Sequence, residues 1–434
     1  MPLTAGNVIA AVFDGKAHYN LAGHVFNLIN SPVIDMEPWG YLDVMMVIGV
    51  GLACLLILRG PLELIILLVG AFPFFGLRLP VRMFANCYLT PYDRQLPFAR
   101  HASPFEYGTV TVLRWVLSHL NTDSMGRELF LSKWMSLWIY RYRRFRYGLM
   151  EVGDAELETV HNELFSGYWV RSKQRSKRND EHDLAILYSP SNLYGFSSGY
   201  AYVEVLGTLL MALISSGFKN PAIFLVDNDW HQGYTHEVNR VGMAWEYLVA
   251  QTPNAMRLVV GDGVGATAEL ALLLHIAEPL QGLTPLQSGV SPDGLLAMSP
   301  LAKLAKTRIT NENDYLTAGN LAKFALKAIA ADESSKLHTM PGLVYNSVWW
   351  KKAMPRKGMV ILYGAEETCR PEIMSMVENL RTDGKVVDVA EPHQVHAWPL
   401  VENFAGRSPL ARYQGIARLA SYISQMALWE CTRQ

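Results

Sequence analysis

Charged residues are scarce in this chain, and the two signs nearly cancel. Among 434 residues, 38 are Lys or Arg and 39 are Asp or Glu, so the charged fraction is 18% and the net charge is −1. Proteins that bind nucleic acid concentrate basic residues to neutralise phosphates, and this balance does not favour such a role. We therefore expect no nucleic-acid partner.

Cysteine is scarce as well. The chain has four cysteines, and their spacing fits neither a disulfide framework nor a zinc site. We interpret all of them as reduced thiols: Cys54, Cys87, Cys369 and Cys431. The sequence predicts neither a bound metal nor another cofactor.

The most informative absence is that of one serine. Residues 261–265 (GDGVG) follow an apolar strand pattern at residues 258–260 and precede a helical pattern at residues 266–277. This is the layout of G-x-S-x-G, a strained strand-to-helix turn that exposes a serine hydroxyl above a sheet. Gly263 occupies the serine position, where glycine relieves backbone strain but offers no hydroxyl to attack a carbonyl.

A carboxylate and a histidine follow downstream, in the order that serine hydrolases with this turn use. Residues 358–364 (GMVILYG) form an apolar strand pattern, and Glu367 comes shortly after it. Residues 386–389 form a second strand pattern, and His396 follows. The chain order of turn, acid and histidine is the order of the α/β hydrolases.

These motifs resemble the hormone-sensitive-lipase-like branch of the α/β-hydrolase superfamily, and within it the membrane-anchored steryl acetyl hydrolases, over about residues 150–434. The resemblance places Gly263 at the nucleophile, Glu367 at the acid and His396 at the base. It implies an α/β-hydrolase fold, in which helices flank a mostly parallel sheet, with a helical cap or lid and an N-terminal membrane-anchoring segment. Alternating strand and helix patterns after residue 184 support this class.

A second motif of that family is also missing. Its members carry H-G-G-G after the third strand, where backbone N–H groups stabilise the oxyanion. Here residues 189–196 read SPSNLYGF, and Pro190 has no N–H to donate. Two degraded elements favour natural loss of serine-hydrolase activity over a laboratory substitution at position 263. The residues left as candidate ligand contacts are Ser189, Ser191, Asn192, Asp262 and Val264.

Glu367 and His396 admit two interpretations. A glutamate can orient a histidine as an aspartate does, so the pair can act as a residual acid–base pair. Alternatively, the two side chains are vestigial and only satisfy each other's hydrogen bonds. The sequence leaves both interpretations open.

An apolar segment near the N-terminus accounts for much of the hydrophobic content. Residues 44–58 and 65–77 are almost wholly apolar, with Arg59, Gly60 and Pro61 between them. Three alternatives remain: one spanning helix that tolerates Arg59, a hairpin anchor that turns at Gly60 and Pro61, or a buried helix pair in a soluble protein. We expect membrane association through one of the first two.

The charges that flank this segment predict its orientation. Acidic residues predominate before it and arginines after it. If the segment spans once, the positive-inside tendency puts the C-terminal domain in the cytosol, whereas a hairpin anchor would keep both ends on one side. The residues are Asp14, Asp35, Glu37 and Asp43, against Lys16, on one side, and Arg78, Arg82, Arg94 and Arg100 on the other. We expect the protein at the endoplasmic reticulum membrane.

The chain divides into four predicted regions. They are a lead-in at residues 1–43, a membrane segment at 44–77, a helical cap or linker at 78–150, and a hydrolase-like domain at 151–434. A lid insertion is predicted within the last region at about residues 281–356, because that stretch is long for one connection.

Three functional hypotheses follow. The first is a membrane-anchored pseudo-hydrolase that binds a hydrophobic natural-product or lipid-like ligand. It would act as a non-hydrolytic cyclisation catalyst or, by analogy between folds, as a partner subunit of membrane-bound biosynthetic enzymes such as a cytochrome P450. The second is a carboxylesterase or steryl-acetyl-hydrolase-type enzyme whose nucleophile was mutated to Gly263. The third is a hydrolase in which His396 activates water directly.

Overall fold

The computed structural model describes much of the hydrolase-like domain and the helices before it. The described residues are 41–119, 134–136, 138–139, 141–142, 155–173, 181–191, 199–228, 233–280, 282–302, 310–330, 340–344, 347–381 and 385–428. Residues 1–40, Asn192 and Cys431 lie outside these ranges. The described Cys87 and Cys369 are free thiols, as predicted.

A mixed sheet of eight strands forms the centre of the domain. The strands are Ala155–His161 (β1), Ser166–Ser172 (β2), Leu184–Ser189 (β3), Pro221–Val226 (β4), Met256–Asp262 (β5), Gly294–Met298 (β6), Met359–Gly364 (β7) and Val386–Glu391 (β8). They lie in the order β1-β2-β4-β3-β5-β6-β7-β8. β2 pairs antiparallel with β1 and β4, and every other neighbouring pair is parallel.

Helices precede this sheet in the chain and cover both of its faces. In chain order, with those of the N-terminal region first, they are Tyr41–Arg59 (α1), Pro61–Phe72 (α2), Leu79–Phe84 (α3), Pro97–His101 (α4), Pro104–His119 (α5), Val203–Ser215 (α6), Tyr234–Gln251 (α7), Gly263–Ala277 (α8), Ala318–Ala330 (α9), Ser347–Ala353 (α10), Arg370–Leu380 (α11), Trp398–Ala405 (α12) and Pro409–Leu428 (α13). α6 and α13 bury Leu210 and Ile423 on one face, and α7 and α8 bury Trp245 and Leu272 on the other. β3, β4, β6 and β7 are almost wholly buried and mostly apolar because helix layers cover them on both sides.

The sequence patterns located β3, β4, β5, β7 and β8 but missed β1, β2 and β6. β1 (AELETVH) is a half-exposed edge strand with polar residues, so it lacks the continuous apolar run of a buried strand. β6 (GLLAM) has only five residues, and it lies inside the range 281–356 that was predicted as a lid insertion. That range needs a correction, because β6 pairs with both β5 and β7 in the middle of the sheet.

The apolar N-terminal segment forms two helices that are separated at Gly60. Gly60 takes φ +84°, which interrupts the helix after Arg59, and Pro61 begins α2. The chain then stays helical to Leu89, through π-helical stretches at Pro73–Arg78 and Ala85–Leu89. Within it, Leu68–Leu89 has 22 residues and is long and apolar enough to cross a membrane. The predicted segment, residues 44–77, ends before this helix does.

α5 joins the outer helices to the domain. Phe74 stacks on Trp115 of α5, with ring centroids 5.0 Å apart. On the domain side, Arg114 of α5 donates from Nε to the carbonyl oxygen of Asp314 and from an Nη to that of Asn311, each at 2.7 Å. The N-terminal helices therefore pack against a helix that is itself hydrogen-bonded to the domain.

A second contact between the two parts contains a buried carboxyl group, that of Glu402 on α12. Its Oε1 accepts a hydrogen bond from the Gln394 side-chain amide at 2.7 Å. Burial, together with the negative charges of Glu106 on α5 and of Glu391, raises the pKa of Glu402 to about 8, although Arg418 acts in the opposite direction. Such a group retains its proton near neutral pH only while the protein is folded.

We predict that Glu402→Gln stabilises the protein increasingly as the pH rises. A carboxyl whose pKa rises from 4.5 unfolded to about 8 folded makes the protein less stable as the pH increases across that window, because only the unfolded chain releases the proton. An amide does not titrate. We expect a melting temperature a few degrees above that of the wild type at about pH 8, and close to it at about pH 5, by scanning fluorimetry.

Glu378→Gln is the matched control, because Glu378 lies exposed on α11 and loses the same charge without any burial. Its effect on the melting temperature should be the same at both pH values. A gain for Glu402→Gln that is equally large at both pH values would contradict the prediction.

Candidate active site

β5 runs into α8 through a sharp turn at Gly263. This residue has φ +52°, in the left-handed region where a side chain is accommodated only with strain. A Cβ at this position would lie 3.4 Å from Nε2 of His396 and 3.0 Å from Cβ of Ser191. The position predicted for the nucleophile therefore faces the predicted base, and only the hydroxyl is missing.

Two further glycines allow the turn to be this tight. A Cβ on Gly265 would lie 2.0 Å from the carbonyl oxygen of Ser189, and one on Gly261 would lie 2.8 Å from the backbone nitrogen of Ala266. Neither approach is sterically tolerable for a residue with a side chain. Because both residues are glycines, the end of β3 lies directly against the turn, and the loop that follows β3 lies beside Gly263.

His396 and Glu367 come together as the sequence order predicts. They follow β8 and β7, two neighbouring parallel strands whose carboxyl ends meet at one edge of the sheet. His396 Nδ1 lies 3.3 Å from Oε2 of Glu367, and both side chains are buried. Since a carboxylate only accepts hydrogen bonds, Nδ1 carries the proton and Nε2 is left to face Gly263. This is the tautomer that a general base requires.

The other oxygen of Glu367 is also held. Oε1 accepts hydrogen bonds from the backbone N–H of Gly364, at 2.6 Å, and from the hydroxyl of Ser299. Ser299 has φ +48°, and its Oγ accepts a hydrogen bond from the backbone N–H of Ala397 at 2.9 Å. Ser299 therefore connects the carboxylate of Glu367 to the backbone of Ala397, the residue after His396, and fixes the distance between the two.

The surroundings of His396 favour its protonated form. Burial by itself lowers the pKa of His396, but the hydrogen bond and the charge of Glu367 raise it. The nearby carboxyls of Asp314 and Asp262 act in the same direction, so the pKa is raised above the ordinary value of 6.5. A base with a raised pKa binds a proton more strongly once it has accepted one.

Asp314 positions the backbone of this pair. Its Oδ1 accepts a hydrogen bond from the backbone N–H of His396 at 3.3 Å, and its Oδ2 accepts one from that of Thr368 at 2.8 Å. Burial raises the pKa of Asp314 to about 6, although the charge of His396 opposes this shift. Asp314 lies within the predicted lid range, so that part of the chain supports the site directly.

Asp262 organises the loop after β3. Its Oδ1 accepts a hydrogen bond from Tyr188 OH at 3.0 Å, and its Oδ2 accepts bonds from Tyr202 OH at 3.2 Å and from the backbone N–H of Ser191 at 3.3 Å. Burial raises the pKa of Asp262, and these hydrogen bonds oppose the shift. The N–H of Ser191 is thus engaged, and Pro190 has none, so neither residue offers a backbone donor to an oxyanion.

The predicted ligand contacts have different environments. Ser191 lies beside the site, with its Oγ 3.6 Å from the position of a Cβ on Gly263. Ser189 is fully buried under the turn, and the side chain of Val264 packs in the core. Val264 can reach a ligand only through its backbone N–H in the first turn of α8, where helical N–H groups have no intrahelical acceptor. Asn192 lies outside the described residues.

Sequence reasoning missed Tyr188, Tyr202 and Asp314. Tyr188 carried a usable signal, because a tyrosine in an otherwise apolar buried strand (LAILYS) needs a partner for its hydroxyl. Tyr202 ends a single 3₁₀ turn, and Asp314 lies in a long connection. Neither has a spacing that indicates its role, since both meet the site through tertiary contacts.

The arrangement provides proton transfer without covalent catalysis by residue 263. Nε2 of His396 and the hydroxyl of Ser191 face the same point above Gly263, and the side chains around them are buried. Among the described residues, no group of three His, Cys, Asp or Glu side chains is arranged to hold a metal ion. The chemistry that this site supports is acid–base catalysis on a bound molecule.

No protein-family profile and no curated protein matches the chain, but solved structures do. An esterase/lipase from an uncultured bacterium covers 76% of this chain and 100% of its own length, with 17% identity and a TM-score of 0.52. An esterase from the bacterial hormone-sensitive lipase family covers 75% and 99%, with 14% identity and a TM-score of 0.54. A hormone-sensitive lipase from a metagenome library covers 74% and 98%, with 14% identity and a TM-score of 0.51. These similarities confirm the predicted α/β-hydrolase fold.

We predict that restoring the serine alone gives a poor nucleophile. In Gly263→Ser the new Cβ would lie 3.0 Å from Cβ of Ser191, on a residue with φ +52°. The backbone strain costs about 1–3 kcal/mol, so we expect a lower melting temperature and slow labelling by a fluorophosphonate. The double variant Gly263→Ser/Ser191→Gly relieves the crowding and should label several-fold faster.

Adding His396→Ala to the double variant is the control, since labelling that depends on the base should then disappear. If Gly263→Ser alone keeps the wild-type melting temperature and labels as fast as the double variant, Ser191 does not obstruct the nucleophile position.

Proposed function

We propose that the protein is a membrane-associated pseudo-hydrolase, a protein of hydrolase fold that does not form an acyl-enzyme. Its site would bind a hydrophobic natural-product or lipid-like molecule that carries a carbonyl group. His396, oriented by Glu367, would act on this ligand as a general acid–base catalyst, for example in a ring closure. We expect the protein to act at the cytosolic face of the endoplasmic reticulum membrane, beside other membrane-bound biosynthetic enzymes.

One observation carries the catalytic part of this proposal. Nε2 of His396 faces a glycine where a serine hydrolase has its nucleophile, while Nδ1 keeps its contact with Glu367. A vestigial pair would need no further support, yet Ser299 and Asp314 both hold its members in place. A general base in this orientation can act through Nε2 only on a ligand that binds above Gly263.

The N-terminal helices support the membrane part. A helix of 22 residues, Leu68–Leu89, is about 33 Å long, close to the thickness of a hydrocarbon core. Its exposed side includes Val81, Phe84 and Leu89, each more than half exposed. Phe74, near its N-terminal end, packs on α5. A helix of this length that leaves most of its apolar side chains exposed suits insertion into a bilayer.

Ester hydrolysis is the second candidate, with Gly263 replacing a serine. The left-handed turn and the intact acid–base pair favour it, and the similar structures described above are named esterases and lipases. The position of Ser191 argues against it, because its side chain occupies the space beside the missing nucleophile. We rank it below acid–base catalysis for this reason.

We predict that the protein accelerates proton abstraction from 5-nitrobenzisoxazole, an apolar probe. When a base removes its C–H proton, the N–O bond breaks and a coloured phenolate is released. His396→Ala should lower kcat about 100-fold or more, the usual contribution of a general base. The rate should rise with pH through a midpoint above 6.5, because the pKa of His396 is raised, and Glu367→Gln should move that midpoint down.

His161→Ala is the control variant, since His161 is an exposed histidine on β1. It should turn over the probe at the wild-type rate. If His396→Ala does so as well, the acid–base proposal is wrong.

We also predict that the purified protein floats with liposomes in a density gradient. Replacing Val81, Phe84 and Leu89 by Asp removes three apolar side chains that would each contribute about 1.5–3 kcal/mol on burial. The triple variant should therefore partition into the lipid fraction at least tenfold less.

A matched control replaces three exposed apolar residues elsewhere, Leu164, Val348 and Met374, by Asp. This variant should float as the wild type does. Equal flotation of both triple variants would show that the helix Leu68–Leu89 is not the lipid contact.

A further inference from the structure

A second polar group, the hydroxyl of Ser191, lies near the same point as His396. Ser191 Oγ lies 3.6 Å, and His396 Nε2 lies 3.4 Å, from the same point, the position of a Cβ on Gly263. A ligand atom above Gly263 would therefore lie between an imidazole and a hydroxyl. Both side chains are buried, so water screens neither contact.

The hydroxyl of Ser191 is the end of a hydrogen-bonded chain. Ser191 Oγ lies 3.3 Å from Tyr202 OH, and Tyr202 OH lies 3.2 Å from Oδ2 of Asp262. Tyr188 holds the other carboxyl oxygen of Asp262 at 3.0 Å. These hydrogen bonds lead from the buried carboxyl group of Asp262, through the hydroxyls of Tyr202 and Ser191, to the space above Gly263.

These hydrogen bonds can transfer protons in either direction. Each hydroxyl both donates and accepts, and a carboxyl donates when it is protonated. Burial raises the pKa of Asp262, which favours the protonated form. In that state Asp262 donates to Tyr202 and Tyr202 donates to Ser191. The hydroxyl of Ser191, which hydrogen-bonds to Asp262 when that carboxyl is ionised, then donates to the ligand.

We infer that Ser191, Tyr202 and Asp262 form a proton relay that serves the carbonyl oxygen of the ligand, while His396 acts on its carbon skeleton. Ser191 would be a catalytic residue and Tyr202 a positioning residue that acts through it. The inference rests on the proposed acid–base function and specifies its substrate class as enolisable or conjugated carbonyl compounds. The relay takes the place of the backbone oxyanion donors that Pro190 and Ser191, the described residues after β3, do not supply.

The proton balance closes for an unsaturated ketone. Nε2 of His396 accepts a proton from the α-carbon, the electron pair of that C–H bond moves into the carbon skeleton, and the carbonyl oxygen takes the proton of Ser191. Tyr202 reprotonates Ser191, and Asp262 reprotonates Tyr202. When His396 returns its proton to a different carbon, the enol proton runs back along the relay. The net change is isomerisation, with no oxidant or co-reactant.

The same groups serve a ring closure. In this reaction a hydroxyl oxygen of the ligand bonds to the β-carbon of a conjugated ketone, and His396 accepts the proton of that hydroxyl. The carbonyl oxygen takes a proton from Ser191 and becomes an enol. His396 then gives its proton to the α-carbon, and the relay is restored.

Two probes of different leaving-group strength test the relay in the full-length protein. 5-Nitrobenzisoxazole releases a stable phenolate, whereas unsubstituted benzisoxazole releases a more basic one that depends more on a donor. Ser191→Ala should lower kcat about 100-fold for the unsubstituted compound and about 10-fold for the nitro compound. Tyr202→Phe should change kcat in the same unequal way, which a merely structural role would not produce.

Two variants are the controls. Ser191→Thr keeps a hydroxyl and should retain the wild-type ratio between the probes. Tyr168→Phe removes another buried tyrosine hydroxyl that is bonded to an aspartate, at 2.9 Å from Asp227, outside the relay. It should also leave the ratio unchanged.

The outcomes separate the two proposals. If Ser191→Ala and Tyr202→Phe keep the wild-type ratio while His396→Ala still abolishes turnover, the relay is wrong and the acid–base function stands. If His396→Ala has no effect, or the wild type turns over neither probe, both proposals fall. Unequal losses for Ser191→Ala and Tyr202→Phe, with both controls unchanged, support the relay.

Discussion

The tight turn between β5 and α8 is the constraint on which the site depends. β5 lies in the middle of the sheet, between β3 and β6, so its end is crowded by the loops that follow its neighbours. Gly265 and Gly261 allow the backbone of β3 to lie against this turn. If a side chain were present at Gly265, β3 would be displaced and Ser191 would move with it. The position of Ser191 beside Gly263 follows from this close approach.

The sequence predicted the fold class, five of the strands (β3, β4, β5, β7 and β8) and the acid–base pair, because each is encoded locally. Apolar runs such as that of β4 mark strands buried on both faces, and the order of turn, Glu367 and His396 follows strand order in a parallel sheet. It did not predict Asp314 or Tyr202. Both reach the site by packing across the domain, so no local pattern marks them. β6 was missed because five apolar residues in a long connection resemble any short apolar run.

The similar structures and the site give information of different kinds. At 14–17% identity, the similarity to esterases and lipases reflects the arrangement of strands and helices. The activity of such a fold depends on a few side chains at one edge of the sheet, and these vary without change of architecture. In this chain the acid and the histidine occupy their expected places, while a glycine and a different loop occupy the others. The fold therefore locates the site, and its own residues define the chemistry.

Asp314 connects the candidate active site to the N-terminal helices. Its carboxyl holds the backbone of His396, and its carbonyl oxygen is held by Arg114 of α5, the helix against which the apolar N-terminal helices pack. The base and the outer helices are thus separated by only two sets of contacts. In the proposed membrane-bound state, a lipid surface that shifts α5 would also move His396. By thermodynamic reciprocity, a ligand of the proposed kind that binds against His396 would then alter the affinity of the protein for lipid.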